Sequence, residues 1–241
     1  MSDNQTSPNS RDWLLLIDGS TYKFTLTGFY LVALVAILKN HGYSLNQLSW
    51  IHLIGSIEAA KVLFAALMER RPAGRFGRFR GWLLAATLGL SAVFGLMACT
   101  DITQNFPLLL ACCVLLSAMS AVYGCAMLGL SCIVLPHRER GFGGVIQTMA
   151  ARGGKMIGGA LVLWLYQEYG QTAAAGFMLA FSLLMLLQLL YYREPESPTA
   201  QGSWTALAAR LVSFWQQPET GWRWLVLLFA VAAPYAFMAA T

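Results

Sequence analysis

Seven long apolar windows follow one another along the chain, separated by short polar segments. Each is close to the ~20 residues that an α-helix needs to cross the hydrocarbon core of a bilayer. The windows cover residues 22–38, 48–68, 81–98, 107–134, 144–165, 172–191 and 222–240. This pattern predicts an all-α membrane protein with seven transmembrane helices. Because the fourth window is longer than a bilayer requires, its helix should either tilt strongly or end early, near Leu130.

The composition agrees with this fold class and narrows the function. Of the 241 residues, 57% are hydrophobic and 11% are charged, whereas soluble domains carry ~25% charged residues. These values exclude an ordinary soluble enzyme and a disordered chain. The five cysteines form no C-x-x-C pair and the three histidines show no ligand spacing, so we expect neither a metal nor a cofactor. No catalytic or phosphate-binding motif is present, and we do not expect an enzyme.

The basic residues collect in alternate loops. Five arginines lie within residues 69–80, two more within 137–140, and Arg193 and Arg210 lie in the polar stretch that follows the sixth window. The positive-inside rule therefore places these loops and the N-terminus in the cytoplasm. The net charge of +5 is accounted for by this topology in a lipid membrane, and we do not expect a nucleic-acid partner.

These features divide the chain into four parts. They are a cytoplasmic N-terminal tail over residues 1–21, a six-helix transmembrane bundle over 22–192, a cytoplasmic linker with an amphipathic helix over 193–221, and a seventh transmembrane helix over 222–241. Six spans, a linker and a new span are typical of transporters built from two six-helix halves. We therefore expect the seventh helix to begin a C-terminal half that is missing, and we expect no transport by this chain alone.

The ionisable candidates inside the predicted spans are two pairs. Glu58 and Lys61 are three residues apart in the second span, and Arg152 and Lys155 are three residues apart in the fifth, so each pair shares a helix face. Each charge costs about 2.5–3.5 kcal/mol at mid-membrane. We expect them to face the bundle interior or a water-filled cavity, where their net positive charge favours an anionic solute. The alternative is an ion pair between Glu58 and Lys61 that is purely structural.

Other polar and small residues complete the set of candidates. Tyr30, Tyr123 and Gln147 lie within predicted spans and are candidates for solute binding or coupling. Gly154 and Gly158 form a G-x-x-x-G motif, which favours close packing of two helices. The same glycines could instead let the fifth span flex during transport.

Two loops resemble a known family. Lys61, the pair Glu69-Arg70 and the turn Gly77-Arg78-Phe79-Arg80 resemble the loop between spans two and three of the major facilitator superfamily. The segment 135–143, with Leu135-Pro136 and Glu139-Arg140-Gly141, is similar to a turn found in one branch of it. That branch contains muropeptide permeases and siderophore permeases of the rhizobactin and pyochelin type.

The resemblance implies the N-terminal six-helix bundle of a gradient-driven carrier. It also implies a cytoplasmic latch, in which Glu69 exchanges ion pairs with nearby arginines. The latch candidates are Glu69, Arg70, Arg78, Arg80, Glu139 and Arg140. The branch often has acids in the fourth span, but residues 107–134 contain none. Glu58, Lys61 or Lys155 would then have to serve as the coupling site.

We expect a secondary transporter that moves a small anionic or metal-chelating solute across the bacterial inner membrane by alternating access. A siderophore is the first expectation. The alternatives are a muropeptide or another solute of the same superfamily, and a non-transporting sensor or scaffold derived from one half of a carrier.

Overall fold

The computed structural model describes residues 10–44, 48, 64, 68, 77, 79–100, 106–136 and 139–194. The chain divides into units of residues 1–199 and 200–241, and all described residues belong to the first. Most of the second apolar window, the seventh window and most of the linker lie outside the described residues.

Five long helices make up the described structure. They are α1 (Ser10–Asn40), α2 (Arg80–Cys99), α3 (Phe106–Val134), α4 (residues 140–169) and α5 (Gln171–Tyr191). Two of these helices contain a π-helical turn, which is Phe29–Ala33 in α1 and Ile157–Leu161 in α4. Except in α1, the helix bounds fall within a few residues of the apolar windows.

Four described helices are long and apolar enough to cross a membrane, namely α1, α2, α3 and α5. Helix α4 is not among them, since Arg152, Lys155 and several glycines lower its hydropathy. Helix α3 continues to Val134, so the early end near Leu130 does not occur. The chain is an all-helical, multi-pass membrane protein in its described part.

Helix α1 begins at Ser10, so the segment that we predicted as an N-terminal tail is helical from that residue. Leu15 and Leu16 are buried in this additional stretch, while Asp12 and Asp18 bind side chains that end α5. The window that begins at residue 22 misses these residues because charged and small polar residues flank the short apolar run 13–17.

Helix α1 is central to the packing, because it contacts α3, α4 and α5. Helix α2 lies on the other side of the bundle against α3 and α5. Aromatic side chains join the two regions, for example Phe29 of α1 and Phe94 of α2, whose rings meet edge to face at 5.4 Å.

The closest approach in the bundle is between the backbones of α1 and α4. A Cβ atom on Gly154 would lie 2.6 Å from the carbonyl oxygen of Thr21, and one on Gly158 would overlap the carbonyl of Thr25. Gly28 contributes from the other side, since its Cβ would lie 2.7 Å from the carbonyl oxygen of Lys155. The two π turns contact each other next to this crossing. The glycines therefore serve here as a packing seam.

We expect Gly158→Ala to destabilise the bundle by ~1–3 kcal/mol, because the methyl group forces two backbones apart. Gly153→Ala is the matched control, since this neighbouring helical glycine is exposed and its Cβ would meet nothing within 4 Å. The control should be neutral or stabilising by up to ~1 kcal/mol. Unfolding of the detergent-solubilised protein measures the stability of both variants. Equal stabilities would contradict a packing role for Gly158.

Candidate solute and coupling site

Helix α4 presents its two membrane cations on the outer surface of the described bundle. The side chains of Arg152 and Lys155 are both exposed, whereas Gly154 and Gly158 are buried against α1. The two cations do not face the interior of the described bundle, because the glycine face occupies that side of the helix. The other part of the expectation, a water-filled cavity, stays a prediction. Lipid is a poor environment for two cations. The two side chains therefore require contact with a water-filled cavity or with another protein segment.

The remaining sequence candidates are dispersed. Gln147 is half-buried on α4, and Tyr30 is buried in the π turn of α1. Glu58, Lys61, Glu69, Arg70 and Arg78 lie outside the described residues. The described residues do not contain a group of three or more His, Cys, Asp or Glu side chains that could hold a metal ion.

The interior of the bundle contains a lysine that the sequence analysis overlooked. Lys23 of α1 is only 7% exposed. Its Nζ donates to the hydroxyl of Ser120 on α3 at 2.8 Å and approaches the hydroxyl of Thr27 at 3.4 Å. Gly124 makes room for the side chain, since a Cβ there would lie 2.8 Å from Lys23 Cε. The sequence signal that could have identified this residue is a lysine within the first apolar window, followed by Thr27 four residues later on the same helix face.

Tyr123 lies at the same interface between α1 and α3. It is fully buried, and its ring meets that of Tyr22 edge to face at 5.3 Å. Gly19 makes room for the Tyr123 hydroxyl, which has no hydrogen-bond partner in the part of the chain that the structure describes. Tyr123 is thus an interior residue of this bundle.

Three polar pairs connect α1 to the antiparallel helix α5. The hydroxyl of Tyr192 donates to Asp12 at 2.9 Å, and the Gln188 amide donates to Asp18 at 3.0 Å. The third pair joins the hydroxyls of Tyr22 and Ser182. Burial, together with the bond to Asp12, raises the pKa of Tyr192. None of these pairs was predicted from the sequence.

Helices α2 and α5 cap each other at one end of the bundle. The Glu194 carboxylate accepts from the backbone N–H groups of Phe79 at 3.0 Å and Arg80 at 2.9 Å, at the start of α2. The Arg80 guanidinium in turn donates to the carbonyls of Leu189 at 2.9 Å and Leu190 at 2.8 Å, at the end of α5. Each charge stabilises the helix end of opposite polarity. We call this arrangement the Glu194–Arg80 clasp.

The clasp includes one residue of the predicted cytoplasmic latch. Arg80 was a latch candidate, and in the structure it binds helix carbonyls, while the acid at this loop is Glu194, which the sequence analysis did not select. Gly77 has φ of 92° and its Cβ would lie 2.5 Å from Glu194 Oε2, so this turn requires glycine. Glu139 is half-buried and precedes the first residue of α4, Arg140; the side chain of Arg140 is outside the described set.

Comparison with known proteins places the chain in a family. The family model of the Major Facilitator Superfamily matches residues 21–241. The chain belongs to the major facilitator superfamily. Its curated relatives are named as permeases, not as enzymes.

Two curated relatives are the anhydromuropeptide permeases of Escherichia coli strain K12 and Escherichia coli O157:H7. Each is 28% identical to the chain over 227 residues, which is 93% of this chain and 45% of the relative. The chain thus spans about half the length of the curated relatives that it matches.

Replacing Glu194 by Ala should destabilise the bundle by ~1–2 kcal/mol, because the N–H groups that start α2 lose a charged acceptor. Glu168→Ala, which removes an exposed carboxylate on α4, is the control and should change stability by less than ~0.5 kcal/mol. Chemical denaturation in detergent measures the difference. Equal effects of the two substitutions would show that the clasp contributes nothing specific.

Proposed function

We propose that the chain forms the N-terminal half of a secondary transporter of the bacterial inner membrane, whose solute is a muropeptide-type fragment of the cell wall. The observation that carries this proposal is the match to anhydromuropeptide permeases along 93% of the chain. In this proposal the six-helix bundle spans residues 22–192, and the N-terminus and the Glu194–Arg80 clasp lie on the cytoplasmic side. The second half supplies the other wall of the solute cavity.

The exposed face of α4 supports an anionic solute. Arg152 and Lys155 are three residues apart and both exposed, so a single carboxylate-bearing ligand can contact the two cations. A muropeptide has a peptide portion, and a peptide ends in a carboxylate. We assign Arg152 and Lys155 to recognition of such a carboxylate, with Gln147 as a neighbouring polar group on the same helix.

The relatives do not support a siderophore as solute, since both are described as permeases for anhydromuropeptides. A sensor or scaffold derived from a carrier half makes a different prediction from a carrier, namely binding without flux. Uptake measurements with both solute classes separate these possibilities.

Cells that express the complete protein should accumulate a radiolabelled anhydromuropeptide, and deletion of the gene should abolish this uptake. Arg152→Gln and Lys155→Gln should each reduce uptake about tenfold or more, because a charge-assisted hydrogen bond contributes ~1.5–3 kcal/mol. Lys39→Gln, at the exposed end of α1, is the control and should retain full uptake.

An iron-loaded siderophore serves as the competing solute in the same cells. Uptake of the siderophore without uptake of the muropeptide would refute the proposed solute. Binding of the muropeptide by the purified protein without flux in proteoliposomes would instead favour a sensor.

A further inference from the structure

The parts of α1 and α4 that lie farthest from the clasp are set off from the rest of each helix by a π turn. They are residues 34–41 of α1 and 162–169 of α4, and we call them the distal segments. We propose that the two distal segments move together as one gate, which bends at the paired π turns and is held together by His41 and Tyr166. This inference rests on the proposed function, because such a gate serves a carrier that opens to each side in turn.

The first argument is the pairing of the two π turns. Phe29–Ala33 of α1 and Ile157–Leu161 of α4 contact each other. A π turn has one residue more than the α-helical turn that it replaces, and the N–H of Leu34 accordingly donates to the carbonyl of Phe29. Such turns occur frequently at functional sites and are among the recognised causes of helix bending. Their contact therefore gives α1 and α4 a common position at which both helices can bend.

The second argument is the different contact on the two sides of this position. On the side of the clasp, Gly154 and Gly158 hold the backbone of α4 directly against that of α1. Beyond the π turns, Nε2 of His41 lies 2.6 Å from the hydroxyl of Tyr166, and the two rings meet edge to face. A hydroxyl group can donate or accept, so this hydrogen bond forms with either tautomer of the imidazole. Backbone contact thus fixes one part of the two helices, whereas a side-chain pair joins the distal segments.

The third argument is the backbone at the other end of each distal segment. Gly42 follows α1 with a φ of 81°, and Gly170 follows α4 with a φ of 83°. Glycine adopts this conformation at little cost, and a Cβ atom on either residue would meet nothing within 4 Å. The space around both junctions leaves room for changes in φ and ψ. Each distal segment therefore lies between a π turn and a glycine junction, as a segment bounded by two hinges does.

The fourth argument is the space beside the distal segments. An apolar cavity lies where all five described helices meet, and Leu34, Ile37 and Tyr166 line it from the distal segments. On α5 its lining includes the small residues Ala174 and Ala175. Side chains at a cavity wall lack the contacts that a filled core provides. The distal segments can therefore tilt toward α5 with little loss of packing.

The helices on the far side of this cavity are held in place. Gln171 at the start of α5 donates to the carbonyl of Met97 at 3.0 Å and to that of Thr100 at 2.9 Å, at the end of α2. The clasp joins the same two helices at their other ends. Helices α2 and α5 are therefore connected at both ends, and they give the gate a stationary neighbour.

The position of the π turns separates the gate from the proposed solute contacts. Arg152 and Lys155 precede the π turn of α4, so bending at that turn leaves them on the part of the helix that the glycine seam fixes. The gate opens and closes the end of the bundle opposite the clasp while these two cations stay in place. This movement takes place within one half of the carrier and adds to any rotation of the two halves against each other.

Hydrogen exchange of the complete protein in nanodiscs, without solute, tests whether the distal segments open together. His41→Phe and Tyr166→Phe each keep an aromatic ring and remove the hydrogen bond between the two segments. We expect either substitution to speed amide exchange about two- to tenfold in both distal segments, since one hydrogen bond is lost, and to leave residues 15–28 of α1 unchanged. Tyr169→Phe is the matched control, because its hydroxyl lies on the same helix and the residue is exposed; it should change neither segment. Faster exchange in the substituted helix alone would overturn the proposal.

Spin-label distances, measured with and without anhydromuropeptide, test the movement itself. The labels replace exposed residues in a background from which the exposed cysteines have been removed. Leu187 on α5 is the common reference for Lys39 and Gln167 on the two distal segments and for Leu14 near the start of α1. We expect the distances from Leu187 to Lys39 and to Gln167 to gain a second value in equal proportion, while the distance to Leu14 keeps one value. A rigid rotation of the whole half would change none of the three.

These measurements distinguish failure of the gate from failure of the proposed function. Coupled exchange of the distal segments without muropeptide uptake would refute the proposed solute and support the gate. Unchanged label distances in a protein that takes up the muropeptide would overturn the gate alone. Where uptake fails, the exchange measurement decides on the gate, because it needs no solute.

Discussion

Lipid offers no hydrogen-bonding partner, so each polar group that α1 brings into the membrane has to be satisfied by another helix or by water. This constraint explains why α1 lies at the centre of the bundle. Asp18 and Tyr22 bind side chains of α5, and Lys23 binds a hydroxyl of α3. Such bonds average only ~0.6 kcal/mol each in membranes. Their effect is therefore mainly to fix which face of α1 meets which neighbour.

The face of α1 that meets α4 is determined by contact between the two backbones. Gly154 and Gly158 bring α4 so close to α1 that neither position tolerates a side chain without movement. Once these glycines face α1, Arg152 lies roughly opposite them and Lys155 lies at the flank of the seam, on a helix of about 3.6 residues per turn. The exposed cations of α4 and the glycine seam are thus two consequences of one packing arrangement.

The sequence predicted α2, α3 and α5 closely, because hydropathy alone identifies long apolar helices. It also identified the loops that carry the family resemblance. It did not reveal the early start of α1 at Ser10, because Asp12 and Asp18 interrupt the apolar pattern and are satisfied only by partners on α5. The Glu194–Arg80 clasp was equally inaccessible, since it joins residues that are more than one hundred positions apart.

Two further misses have the same origin. Lys23 was overlooked because one lysine hardly changes the mean hydropathy of its window, and its polar partner Ser120 lies on a different helix. The charge pattern showed that Arg152 and Lys155 share a helix face, but not that α4 turns its glycines rather than these cations toward α1. In both cases the missing information was the pairing of helices.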